Sequence, residues 1–171
     1  MKHIVKTGKA LALAIAITAI GSFSLPSSSQ AGEIEDLRDQ FGKQYERGQF
    51  KEIFATLGKM EALVKAKHGE GSERHVKVLD RLANQFKVIG RKKNAEGVLL
   101  KAIALAEGKL GKDSKSVLQS RSSLGILYVG QNRIDEAKKQ FELASAIAEK
   151  VYGPDDMETK IMKNNLKLLS K

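Results

Sequence analysis

The chain has no cysteine and no tryptophan, and only two prolines and three tyrosines among its 171 residues. The missing cysteine excludes disulfides, thiol catalysis and thiolate metal sites together. It also excludes a lipid-anchored cysteine after the leader described below. Without tryptophan, and with so few tyrosines, the chain lacks the stacking platforms expected of a binder of single-stranded nucleic acid. No apolar run approaches the roughly 20 residues that a membrane-spanning helix needs. The longest is the 11-residue run Ala10–Ile20. No segment of the remaining chain alternates with the period of a strand, so an all-α fold is expected.

The run Ala10–Ile20 follows Lys2, Lys6 and Lys9 and precedes the polar stretch Gly21–Gln30, which leads to Ser29-Gln30-Ala31. A positive start, a short apolar centre and small residues at a cut site form the layout of a secretory signal peptide. Residues 1–31 are expected to be removed after Ala31, leaving a periplasmic or secreted domain over 32–171 with no transmembrane anchor. That domain holds 27 basic residues against 20 acidic ones, mixed along the chain rather than blocked. Export makes nucleic acid an unsuitable partner, and the excess charge reads first as a solubility feature. Arg91-Lys92-Lys93, with Lys43, Arg47, Lys51, Arg133, Lys138 and Lys139 near equivalent edges, forms either a solvated rim or a ridge toward anionic surfaces.

Gly69, Gly111 and Gly153 stand 42 residues apart, and the segments that end in them repeat in register. A fixed period of this size marks a stack of repeated units. In the middle unit, Val78, Leu79, Leu82, Phe86 and Ile89 recur at three- and four-residue spacing, one buried helical face. Gly90 breaks that helix, and Val98, Leu99, Ala102, Ile103, Ala106 and Leu110 mark a second. Gly111 suits a left-handed C-terminal cap, after which Asp113 or Ser114 can cap the next helix. The third unit repeats the pattern with Leu124 and Tyr128, a turn at Asn132, and Ala137, Phe141, Ala144, Ile147 and Ala148. Asn132 can replace glycine there because asparagine tolerates positive φ. Alanines at 95/137, 102/144 and 106/148 allow close helix approach. The units are expected over about 37–72, 73–114 and 115–156, with a capping helix over 157–170. Ile53 stands where the later units have alanine, and Tyr45 lies a residue nearer its turn than Tyr128, so the first unit diverges most.

Leu124, Gly125 and Tyr128, then Asn132, Ile134 and Ala137, then Ala144, Ala148 and Val151-Tyr152-Gly153-Pro154-Asp155, resemble a tetratricopeptide repeat. The 42-residue spacing resembles the kinesin-light-chain type found in many bacterial proteins, and Asn164-Asn165-Leu166 resembles the start of a further unit. The resemblance covers about residues 37–169. It implies a right-handed α-solenoid of antiparallel helix pairs whose first helices line a concave groove for a protein or peptide partner, a scaffold with no catalytic residue. The groove positions would then be Lys77, Asp80, Asn84 and Lys87, with Gln119, Ser122, Ile126 and Val129 one unit later, and Ile161, Asn164 and Leu168 after that. The apolar members could equally bury against a neighbouring helix or a second copy through the C-terminal helix. An exposed stripe there invites either outcome.

Chemistry has little support. His68 and His75 replace packing residues, and no third or fourth ligand converges with them as a metal site requires. No carboxylate is expected in surroundings that would raise its pKa for acid–base work. The serines from Ser114 to Ser123 have no histidine near them in register. Neither metal, cofactor nor catalytic residue is expected.

Overall fold

The computed structural model of the chain describes residues 27–169, with side chains from residue 32. Among these residues there are seven helices and no strand. They are α1 Ser27–Glu46, α2 Phe50–His68, α3 Glu73–Val88, α4 Lys92–Leu110, α5 Lys115–Val129, α6 Ile134–Tyr152 and α7 Met157–Leu168. Each helix packs on the next, and α3 also touches α5. With turns this short, successive helices run antiparallel. The result is three hairpins, α1–α2, α3–α4 and α5–α6, followed by a single α7. The expected leader lies outside the described residues except for Ser27–Ala31, which belong to α1. None of the described helices is long and apolar enough to cross a membrane.

The repeat recurs in the caps. Ser72 and Ser114 accept a backbone N–H from His75 and Val117, and Asp156 accepts one from Glu158. These three caps are 42 residues apart, and each satisfies a donor that a helix N-terminus otherwise leaves open. Of the two candidates before α5, Ser114 is the cap. Gly69, Gly111 and Gly153 close α2, α4 and α6 with φ near +90°. At the turns inside each pair, Gly48 and Gly90 have φ of 64° and 75°, and Asn132 takes 59°. Asparagine thus accepts the left-handed turn, as its chemistry predicts.

Two clusters fill the core. The larger joins Val76, Leu79 and Ala83 of α3 to Ala95, Leu99, Ala102 and Ala106 of α4, and continues through Leu124, Phe141, Ala144 and Ala148 to Met162 of α7. The smaller holds Ile34, Leu37, Ile53, Leu57, Met60 and Val64, with Val78 supplied by α3. Both faces of α3 are therefore used, one toward each cluster. The first unit buries Ile53, Met60 and Val64 where the later units bury alanines. It also inverts the end of its first helix. Gln44, in register with Phe86 and Tyr128, is buried and accepts a 2.8 Å hydrogen bond from Thr56 Oγ1. Tyr45 turns outward instead and stacks on Phe41 at 6.2 Å. A polar pair stands where the later units use an aromatic ring, and this explains the offset of Tyr45 in the sequence.

Gly125 has a different task from the turn glycines. It lies inside α5, where glycine normally costs helix stability. A Cβ built there would meet the Phe141 ring at 3.0–3.1 Å. The missing side chain lets α6 lay Phe141 flat against α5, and Phe141 is almost wholly buried as a result.

Candidate functional site

Helices α3, α5 and α7 present two rows of exposed side chains in register. Lys77, Gln119 and Ile161 form one row, and Asn84, Ile126 and Leu168 the other. Between α3 and α5 lies a cleft of about 460 Å³ lined by Lys77, Asp80, Gln119, Ser122 and Ile126. A second, of about 540 Å³, runs between α1 and α3 and includes Phe41, Tyr45, Arg81, Asn84 and Gln85, with Gln119 shared from α5. Lys87 lines a much smaller recess, of about 30 Å³, with Asp80 and Asn84. Asn164 is exposed on α7, in register with Asp80 and Ser122, and is not among the residues that line these clefts.

Asp80 requires two corrections. As a groove position it is not freely exposed but half-buried where α3 meets α5, and it accepts a 2.8 Å hydrogen bond from Ser120 Oγ. Ser120 itself is fully buried. Nor is the chain without a carboxylate of raised pKa. Burial pushes Asp80 up to about 6, against the opposing effect of the Ser120 bond. Helical spacing places Asp80 off the apolar stripe of α3. Only the arrival of α5, 40 residues away in sequence, takes the group out of water, and no local pattern announces that.

The histidines part company. His75 is fully buried, beyond the packing role its position suggested. Its Nδ1 accepts the Gly71 N–H at 3.0 Å, which leaves Nε2 to donate to Glu61 at 3.3 Å. Burial raises the Glu61 pKa, but the bonds from His75 and Lys101 outweigh it and the net shift is downward. In register with His75, Thr159 donates to the Gly153 carbonyl at 2.7 Å. One repeat position thus ties the inter-unit loop down by two different side chains. His68 remains partly exposed, its Nε2 3.0 Å from Arg74.

The basic edge is partly committed to structure. Arg133 binds Glu96 at 2.7 and 3.0 Å, also pairs with Glu136, and lies 4.1 Å over the Tyr128 ring. Its guanidinium pKa is raised by Glu136 and then Glu96. Tyr128 donates to the same Glu96 at 3.0 Å, so the α5–α6 turn is pinned to α4. Lys92 donates to the Gly130 carbonyl at 2.6 Å. Of the Arg91–Lys93 run, Arg91 and Lys93 remain exposed outside these ties.

The apolar residues at the C-terminal end do not occupy the face on which another hairpin would stack. In α3 and α5, the positions that meet their own second helix are Val76, Leu79 and Ala83, then Leu118, Arg121 and Gly125. In α7 the same positions are Lys160, Lys163 and Lys167, all exposed, with Lys163 reaching back to Glu149 at 3.3 Å. Ile161 and Leu168 belong instead to the exposed rows that begin at Lys77 and Asn84. Ile161 and Leu168 are exposed, but on those rows rather than at the end of the stack.

Residues 77–150 match the tetratricopeptide repeat family model. No curated protein matches the sequence. Among solved structures the chain is similar to BtubC (BKLC) from P. vanneervenii, with a TM-score of 0.71 and 13% identity over 83% of this chain and 63% of that one. It is also similar to the nearly identical TPR-like repeats assigned to a Podosopora anserina kinesin light chain, in two forms. A point variant gives a TM-score of 0.65 at 17% identity, and the form without it 0.64 at 20%, each over 80% of this chain and 65% of the other. The chain spans about two thirds or a little less of the length of these proteins, and at such identities the likeness is one of fold.

Proposed function

We propose that this chain, whose residues 77–150 are tetratricopeptide repeats, is an exported interaction module that holds a protein or peptide partner along its first helices without catalysis. The observation that supports this best is the pair of register rows that stay exposed while the residues beside them are buried. Ile126, Ile161 and Leu168 are each between 44% and 58% exposed, whereas Leu124, Leu127 and Met162 are at most 3% exposed. Exposed apolar side chains repeated on one face mark a contact surface rather than a random surface. The N-terminal half of that face is polar and cationic, the C-terminal half apolar, so a partner segment would lie in one direction. The leader-like residues 1–31 support a periplasmic or secreted location. The repeat fold is typically non-catalytic, and among the described residues the hydroxyl bonded to a carboxylate of raised pKa, that of Ser120 on Asp80, is fully buried.

Self-assembly in which α7 stacks end-on against another copy is disfavoured by Lys160, Lys163 and Lys167, since it would bury three ammonium groups of which only Lys163 has a carboxylate beside it, Glu149, and an unpaired buried charge is costly. A photo-activated cross-linking residue tests the surface directly. Placed at Gln119, it is expected to give a discrete adduct in extract of the source cells. Placed at Glu142, on the exposed side of α6, it is expected to give none. Equal labelling from both positions would sink the groove, and an adduct of two copies of this chain would turn the reading to self-association.

A further inference from the structure

Two exceptions to the repeat meet at one hydrogen bond. Ser120 of α5 is fully buried where α3 and α7 bury Val78 and Met162. Asp80 of α3 stands where α1, α5 and α7 carry Arg38, Ser122 and Asn164. Ser120 Oγ donates to Asp80 Oδ1 at 2.8 Å. The stack requires neither residue, since its other units fill these positions differently. A buried hydroxyl and a half-buried carboxylate both cost stability, and a local rule broken at a cleft points to function. Asp80 lines the 460, 540 and 30 Å³ recesses alike. Its Oδ2 has no hydrogen bond among the described residues and is not sealed from solvent. Nor does any cation among the described residues pair with it. Lys77, one turn earlier, is held by Glu73 at 2.7 Å, and the Arg81 guanidinium lies 5.9 Å from the centre of the Phe41 ring.

We infer that Asp80 is the specificity-determining residue of the partner-binding face, held by Ser120 to receive a lysine or arginine side chain of the partner peptide. The inference rests on the groove reading and narrows it to one chemistry. At pH 7.5 the carboxylate is ionised and lacks a counter-ion. A cationic side chain of the partner supplies one and forms a charge-assisted hydrogen bond at Oδ2. A peptide without that cation covers the cleft and leaves the carboxylate buried and unpaired, which rejects it.

The probes are random peptides displayed on phage and selected on the wild-type chain at pH 7.5, with synthetic copies of the recovered sequences titrated by calorimetry. The wild type is expected to recover peptides that share a lysine or arginine. Replacing that residue by glutamine is expected to weaken binding about tenfold, the effect of one lost charge contact. Asp80→Asn, its folding checked by circular dichroism, is expected to bind the cationic and glutamine forms alike. Peptides that are weakened by Asn84→Ala/Gln119→Ala but lose nothing on the glutamine replacement overturn the inference and leave the groove in place. So do such peptides whose cationic preference survives in Asp80→Asn. Peptides indifferent to Asn84→Ala/Gln119→Ala, or a selection that recovers none, overturn the groove reading and this inference with it.

Discussion

Replacing Leu124 by alanine is expected to cost about 2–5 kcal/mol, the usual range for removing a large side chain from a packed core. Leu124 is wholly buried in the larger cluster, midway along α5. Its cavity would open against α4 and α6, whose alanines at 102, 106, 144 and 148 have no longer side chains to swing into it. Stacked repeats share stability with their neighbours, so a defect in a middle unit weakens the interfaces on both sides. The same change at Leu82, the equivalent position one unit earlier, is expected to cost less, because Leu82 is only half-buried at the edge of the smaller cluster. Urea unfolding followed by circular dichroism at 222 nm checks both, a method suited to a chain without tryptophan. Equal losses at the two positions would show that the clusters do not differ in packing.

Asp80→Asn is expected to stabilise the protein at neutral pH. The folded-state pKa of Asp80 is about 6 against an ordinary 3.8. Between those values the folded chain holds the proton and the unfolded chain does not, so this group's contribution to stability falls as pH rises from about 4 to about 6. Above that window the whole cost is present, about 3 kcal/mol as an upper estimate from two pK units. Asparagine keeps an acceptor for Ser120 Oγ and carries no charge to bury. The variant is therefore expected to exceed the wild type by about 1–3 kcal/mol at pH 7.5 and to match it at pH 4. Glu61 and Glu96, whose pKa values are lowered, weaken both proteins alike in acid and drop out of the difference. A difference independent of pH would show that Asp80 is not held in a desolvated state.

The periodic parts of this molecule were legible in its sequence because their causes are local. The positive-φ turns at Gly48, Gly90 and Asn132, the caps that recur every 42 residues and the paired alanines each follow from one residue type at one position. What escaped depends on helices distant in sequence. Asp80 lost its water to α5, and Gln85 Oε1 was buried without a donor. His75 was buried by the loop it anchors. The first unit was visibly divergent, yet the exchange of an aromatic for the Gln44–Thr56 pair could not be read before α1 and α2 were seen together. Of the eleven groove positions, Lys77, Asp80, Asn84, Lys87, Gln119, Ser122 and Ile126 line the clefts of the first helices, and Val129, Ile161, Asn164 and Leu168 stand exposed beyond them. What binds there depends on a partner's chemistry, which a repeat pattern does not encode.

The central claim, that the first helices form the partner-binding face, is tested most directly by measuring affinity and stability together in one variant. The partner identified by cross-linking would be titrated against the wild type and against Asn84→Ala/Gln119→Ala, with urea unfolding of both. Both residues are exposed, so the double change is expected to alter stability by no more than about 1 kcal/mol. Its affinity for the partner is expected to fall at least about tenfold. Unchanged affinity with unchanged stability would contradict the account and move the binding surface away from the first helices.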